Sequence, residues 1–457
     1  MSKLSRRFIK GILVCLLLQT GLVCPAAAAE ELIYRGVTFQ GQALGEMDRD
    51  NVFKIVQAEN ESVAVRRLSI TAAGLQEPLT ATYQEMGIHI DGERTWQEAY
   101  ALGRSGNWWE NLWKRWQLAR KGAEVPLFLR VDDTALLQKL EELAQPFTQE
   151  PQNAELIIGT NNAIEIKPHA LGRKADIEAA AADIKMALSA QPKQAIRVEM
   201  RFVPLEPEKT TATIEAYRIT GLLSATRTVF NAGKVNRTRN IQLAAKALNN
   251  TLIAPGEVFS FNKTVGPRTK AQGYDEADII VKNELVPGVG GGVCQVSTTL
   301  YNSALKAELQ IVERTPHSML ISYVAPGMDA TVVYGSRDLQ FRNNTRGHLI
   351  IQTAVYQGSL EIKIFGYPLG RRVELRSTKE EEVQPKTIYK EDPAVPRGSY
   401  VLEREGSIGY IYRVERLIYD AKGVLIKREQ ISKDYYPPAD RIIRTFAGSL
   451  LLDDSFL

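Results

Sequence analysis

The chain has 457 residues, of which 44% are hydrophobic and 24% charged. That is the composition of a folded protein, and it excludes a low-complexity or disordered chain. The formal net charge is +4, but Lys3, Arg6, Arg7 and Lys10 account for all of it, so basicity gives no argument for nucleic acid or an anionic surface as partner.

Those four basic residues open an export signal. An apolar run covers residues 11–23 and small residues follow at 26–29, so cleavage is expected just before Glu30. The apolar run is short for a membrane span. No second run approaches that length, so no stable membrane insertion is expected after cleavage. Val23 is a poor lipobox residue before Cys24, so a lipid anchor is not expected. Removal of residues 1–29 takes away Cys15 and Cys24 and leaves Cys294 alone. No intrachain disulfide can then form, and a single thiol in an exported protein is a candidate reactive group.

The remaining length fits about two to four domains. Residues 30–120 read as a mixed α/β module. A strand is expected over 83–90, then a helix capped by Thr95 that contains Trp96, Ala99 and Leu102. Trp109, Trp113 and Trp116 share one helix face. With Lys114 and Arg115 beside them they could touch a membrane or a sugar, although packing in a core or between domains is the favoured reading. Residues 121–212 read as a second module, with strands at 125–131, 163–166 and 195–203 and helices at 134–143 and 175–188. His169 falls in a loop without partners at metal-ligand spacing.

Residues 213–375 form the central unit. A helix is expected over 240–248 and a turn at Ala254-Pro255-Gly256. Strands are expected at 258–261, 309–312, 327–333 and 339–341. A hairpin of 349–355 with 360–365 turns at Gln357-Gly358. Residues 376–446 are tyrosine-rich and strand-like, and 447–457 are a tail. The fold class is therefore α+β multidomain, with mixed modules first, an α+β centre and an all-β module last.

The central unit is organised around PGVGGGVCQVSTTLY at residues 287–301. After the glycines, Val293, Val296, Leu300, Ala304 and Ala307 recur at helical spacing. A glycine turn that opens a helix leaves backbone N–H groups unpaired beside the positive end of the helix dipole. Cys294, placed there, tends toward thiolate, and the free N–H groups suit an oxyanion. The competing reading is a small buried apolar residue.

A cysteine nucleophile gains most from an imidazole that takes or holds its proton. Of His89, His169, His317 and His348, His317 fits best, because a helix followed by a returning strand can bring it back to Cys294. His348, at a strand start, is expected to be exposed. Glu313, Asp329 and Asp338 lie close enough in sequence to orient the base. Their spacing does not choose among them, and Asp329 is put forward.

These motifs carry a resemblance. NRTRNI at 236–241, PGEVFSFN at 255–262, GGGVCQVSTTLYN at 290–302, ERTPHS at 313–318 and GMDATV at 327–332 resemble the VanW-like family, which is named for an accessory protein of vancomycin-resistance clusters. Residues 307–309 depart from the family pattern, which places glycine at this helix end; Glu308 stands there and works against the helix stop. The IEIKPHALGRKAD stretch is similar to the peptidoglycan-binding domain that precedes such units. Residues 376–446, with REGSIGYIYRV and KDYYPP, resemble the G5 module, an extended β domain.

The resemblance implies the Gram-positive cell envelope, with peptidoglycan as the partner. It also implies an L,D-transpeptidase-like cysteine acyltransferase acting on stem peptides, with Cys294 as nucleophile and His317 as base. Gly291, Gly292 and Gln295 would surround the oxyanion. Arg314 would pair with a substrate carboxylate, and Ser297 and Thr298 would line the site. Local capping and packing is the competing reading for the last three. No metal or other cofactor is needed. Two alternatives stand beside this one: a binding adaptor without catalysis, and a cysteine hydrolase of the same stems.

Overall fold

The computed structural model describes residues 31–446 apart from 74, 282 and 283. The expected export signal and the 447–457 tail lie outside the described residues. The described residues form two compact units, one of residues 31–150 with 171–205, the other of residues 151–170 with 206–446.

In the first unit, five helices begin at acidic or amide N-caps. Asp48, Asp91, Asn107, Asp132 and Asp176 open Arg49–Ala64, Gly92–Ala101, Trp108–Lys121, Asp133–Ala144 and Ile177–Ala190, each accepting a backbone N–H of the first turn. Asp91 displaces Thr95 as the cap expected from sequence. Thr95 sits one turn inside the helix and donates to the Asp91 carbonyl at 2.7 Å. Pro126 divides the strand expected over 125–131 into Ala123–Val125 and Leu129–Val131, because proline cannot donate to a ladder.

One apolar cluster runs from Ile33 to Met200, and Val37–Phe39 pairs in parallel with Ala123–Val125. The modules expected on either side of residue 120 thus share a core. The tryptophan helix departs from the packed reading. Trp108, Trp109, Trp113 and Trp116 are 48–71% exposed, and they contact one another in pairs.

The second unit is built on an antiparallel sheet ordered Gly221–Val229, Ser359–Gly366, Leu349–Tyr356 and Thr251–Ile253. Gln357 and Gly358, at φ 47° and 75°, make its tight hairpin. Helices Val235–Leu248 and Val293–Lys306 pack on this sheet and on each other. The second helix has no solvent-facing side over most of its length, since Gln295 through Leu305 are all buried. Its polar residues are matched individually. Thr299 pairs with Thr228 at 2.8 Å, Ser303 donates to the Ile362 carbonyl at 2.9 Å, and Asn302 donates to the Met328 carbonyl at 2.7 Å.

The helix ends at Lys306, and Glu308 takes a left-handed φ of 57°. The Leu309 N–H reaches back to the Ala304 carbonyl and the Glu308 N–H to Leu305. That is the helix-ending pattern usually given to glycine.

The strand expected over 327–333 is an irregular segment. Its backbone bonds sideways instead of into a ladder, with the Ala330 carbonyl accepting from Ser297 and the Ala330 N–H donating to Thr298. The C-terminal part is extended. Long antiparallel strands Arg372–Val383, Gly409–Tyr419 and Leu425–Tyr436 form one sheet, and Thr387–Glu391, Arg441–Thr445 and Tyr400–Arg404 form another. Among the described residues no helix is long and apolar enough to cross a membrane.

Candidate functional site

The glycine loop is shaped by what presses on it. Gly290 and Gly292 sit at φ 86° and 104°, where a side chain is strained. A Cβ on Gly290 would meet the Arg268 stem at 3.1 Å. One on Gly291 would strike the Ala277 backbone at 2.6 Å, and one on Gly292 the Arg237 Cγ at 2.9 Å. Three neighbours thus approach the loop where side chains are missing. Asn240, fully buried, pins it by donating to the Gly291 carbonyl at 3.0 Å and the Asp275 carbonyl at 2.9 Å, while its Oδ1 accepts the Asp275 N–H.

Cys294 follows as the second residue of the helix, at the positive end of its dipole. The Val293 and Gln295 N–H groups are taken by the Gly290 and Gly292 carbonyls. The Gly292 and Cys294 N–H groups are the other backbone donors at this helix start.

Cys294 and His317 line the same cavity, and the Cys294 thiol donates to the Val332 carbonyl at 3.6 Å. His317 Nδ1 meets Asp329 Oδ2 at 2.6 Å, and the same oxygen accepts the His317 backbone N–H at 2.6 Å. This engages Nδ1 and leaves Nε2 as the ring nitrogen that could serve the thiol. The other Asp329 oxygen accepts from Tyr436 at 2.5 Å and from Arg314 Nη2 at 3.2 Å.

Burial opposes charge on His317, but the Asp329 bond and the neighbouring Cys294 prevail and raise its pKa to about 9. Burial alone would push the Cys294 thiol up; the neighbouring His317, with the Val332 backbone and the Arg268 charge, brings it below its ordinary value. Burial also opposes ionisation of Asp329, yet His317, Arg314 and Tyr436 hold its carboxyl below the usual carboxylate range. Both shifts favour charge separation between Cys294 and His317, beside a buried carboxylate.

Asp338 and Glu313 are engaged elsewhere. Asp338 accepts from Ser260 and the Asn262 N–H, and Glu313 accepts the Asp338 N–H. His348 is not exposed but half-buried, against the Tyr217 ring at 4.5 Å. His169 is held by Thr211. Among the described residues no cluster of His, Cys, Asp and Glu could hold a metal.

Three expected substrate contacts are corrected by the structure. The Arg314 guanidinium is buried and saturated, by the Asp329 carbonyl at 2.6 Å, Asp434 at 2.6 Å and the Gly327 carbonyl at 2.9 Å, so it cannot receive a ligand carboxylate. Ser297 and Thr298 are fully buried and bonded to Ala330. They tie the helix to the Asp329 segment and do not line the cavity. Gln295 borders the cavity, but its amide is used by Thr228, the Val229 carbonyl and Arg237.

The cavity in front of Cys294 has a volume of about 760 Å³, within the range that takes a small ligand. The glycine loop and Cys294 form its floor. Ile279, Leu285, Met319 and Ile321 give apolar walls, the Lys234–Asp278 pair sits among them at 2.7 Å, and further polar groups come from Arg237, Arg268, Tyr323 and Tyr334. Sequence reasoning gave none of these last four a role. Arg237 stands inside the NRTRNI motif, which marks the segment but not the direction of the side chain. Tyr436 and Asp434 were equally out of reach, more than a hundred residues from the groups they touch.

Comparison with known proteins places these features. The VanW like protein family model matches residues 236–365, a peptidoglycan binding domain model matches 79–197, and the G5 domain model matches 374–445. The chain is 39% identical over 227 residues to the uncharacterized protein YoaR of Bacillus subtilis, covering 50% of this chain and 72% of that protein. It is 31% identical over 189 residues to the vancomycin B-type resistance protein VanW of Enterococcus faecalis, covering 40% of this chain and 62% of that protein. A solved IgA1 protease G5 domain aligns with 17% of this chain and 90% of its own, at 19% identity and a TM-score of 0.14.

Proposed function

This chain belongs to the VanW-like family, and we propose that it is a cell-wall-associated cysteine acyltransferase acting on peptidoglycan stem peptides, in the manner of an L,D-transpeptidase. The observation that carries the chemistry is the His317–Asp329 pair at 2.6 Å beside Cys294, with Cys294, His317 and the glycine loop all lining one cavity. The domain matches at 79–197 and 374–445 support an extracytoplasmic, wall-associated setting.

The Cys294 thiolate attacks the carbonyl carbon of the third stem residue, and the carbonyl π electrons move to oxygen. The Gly292 and Cys294 N–H groups stabilise that oxyanion. The intermediate collapses, the C–N bond to the fourth residue breaks, and the His317 Nε2 proton goes to the departing amine. A thioester remains. The amine of a second stem attacks it and gives its proton to His317. The thiolate then leaves, and the imidazolium–thiolate pair is restored. Water in place of the second amine would make the same site a hydrolase.

The test incubates the exported chain, from Glu30 on, and its Cys294→Ala variant with disaccharide-tetrapeptide, and reads protein and products by mass spectrometry. A stem adduct on Cys294 together with cross-linked dimers is expected, and neither in the variant. An adduct with only shortened stems would make it a hydrolase. Unchanged substrate with folded protein would leave a binding adaptor.

A further inference from the structure

The guanidinium of Arg268 is the buried group in this cavity whose bonding is least complete. Nη1 donates to Asn262 Oδ1 at 2.6 Å, but the buried Nε and Nη2 have no partner. The side chain stands between the Phe261 and Tyr334 rings, whose centroids lie 5.3 and 5.9 Å from its guanidinium carbon. Its stem rests on Gly290. Arg237 lies on the other side of the loop, its stem on Gly292 and its Nη2 on Gln295. Among the described residues neither arginine has an ion pair with a carboxylate, whereas Arg314 has two. Burial works against the charge of both arginines; Tyr323, Asp278 and Cys294 support it on Arg237, and Tyr274, Cys294 and Asp338 on Arg268, none of these carboxylates being close enough to pair.

An arginine fork with two unused donors, desolvated and flanked by aromatic rings, matches a planar carboxylate. Leaving it unpaired is costly, and a ligand carboxylate removes that cost. We propose that Arg268, with Arg237 across the loop, binds a carboxylate of the acyl donor and so selects peptides that carry a free carboxylate beside the scissile bond. The proposal rests on the acyl-transfer reading only for the identity of the donor. Because the arginine stems rest on Gly290 and Gly292, just before Cys294 in the same loop, the carboxylate belongs within about one residue of the attacked carbonyl. The α-carboxylate of the departing fourth residue fits this requirement, and its release with the leaving group then clears the site for the second stem. A side-chain carboxylate on the third residue has the same chemistry.

The experiment uses three disaccharide-tetrapeptides: one with both carboxylates free, one with a C-terminal carboxamide, and one amidated on the side chain of the third residue. Acylation of Cys294 is followed in the wild type, Arg268→Gln and Arg268→Lys. Binding is followed by calorimetry in Cys294→Ala. The wild type is expected to lose roughly 10²-fold in acylation rate with the C-terminal amide. Arg268→Gln is expected to treat acid and amide alike, and Arg268→Lys to restore part of the preference. Loss with the side-chain amide alone would assign the arginines to the third residue. Equal acylation by all three peptides would overturn the carboxylate site while leaving the acyl-transfer reading intact. Carboxylate-dependent binding without acylation would overturn that reading and keep the site.

A substrate-independent arm compares iodoacetate with iodoacetamide on Cys294. Arg268→Gln is expected to reduce the iodoacetate-to-iodoacetamide rate ratio about tenfold, and an unchanged ratio in folded protein counts against the proposal.

Discussion

At the scale of the residue, His317 makes the site testable without a substrate. Its raised pKa, about 9, follows from Asp329 and the thiolate acting against burial. A histidine raised by its partners stays cationic until the pH passes the raised value. The thiolate it supports persists to lower pH than a free cysteine, whose pKa is about 8.5. Asp329→Asn keeps the shape and removes the charge. The His317 midpoint, read by NMR of its ring, then falls from about 9 toward its ordinary value. With less imidazolium at neutral pH, the acid limb of Cys294 alkylation moves to higher pH. An unshifted His317 midpoint in the variant would remove Asp329 from the site. The cysteine and the histidine were legible in the sequence because each is rare and each sits at an element end. Asp329 was not separable from Glu313 and Asp338 there, because the choice depends on an irregular segment whose backbone bonds sideways to Ser297 and Thr298.

At the scale of the element, the helix that carries Cys294 obeys its apolar period and exceeds it. Val296, Leu300 and Ala304 are buried as spaced, but Thr299, Asn302 and Ser303 are buried too. Periodicity reports apolar side chains and is silent about polar ones that find partners, so the burial of the helix on its other faces was hidden. The tryptophan helix errs the other way: its aromatic spacing is right and its burial is not. The helix stop was legible as a conflict, since Glu308 stands where glycine is suited. The structure resolves it by holding Glu308 at a φ of 57°. An L-residue in that region costs about 1–2 kcal/mol, and the partly exposed pair with Arg371 at 3.0 Å returns only about 0–1 kcal/mol. Glu308→Gly is therefore expected to raise stability by about 0.5–1 kcal/mol, seen as a higher urea midpoint with an unchanged slope. A lower midpoint would mean the ion pair outweighs the strain.

At the scale of the whole molecule, the candidate site draws on two parts of the second unit that sequence reading treated as separate domains. Strand Leu425–Tyr436, inside the G5-matched region, places Tyr436 on Asp329 and Asp434 on Arg314. Tyr436 also accepts the Gly327 N–H at 2.8 Å. Asp329 is only 1% exposed, and keeping water from a charge pair strengthens its attraction. Cover and hydrogen bond are separable. Tyr436→Phe keeps the ring over Asp329 and removes the hydroxyl, so stability should fall by about 1.5–3 kcal/mol, the worth of a hydrogen bond to a charged group. The His317 midpoint should stay near 9, because the carboxylate remains dry. Tyr436→Ala opens the cover, water reaches Asp329, and the midpoint should move down toward that of an ordinary histidine, with slower Cys294 alkylation at neutral pH. If both variants leave the midpoint and the alkylation rate unchanged, the C-terminal sheet is only a neighbour. If the two separate as described, that sheet is part of the site, and the VanW-like region excised alone would carry its cysteine and histidine without their full chemistry.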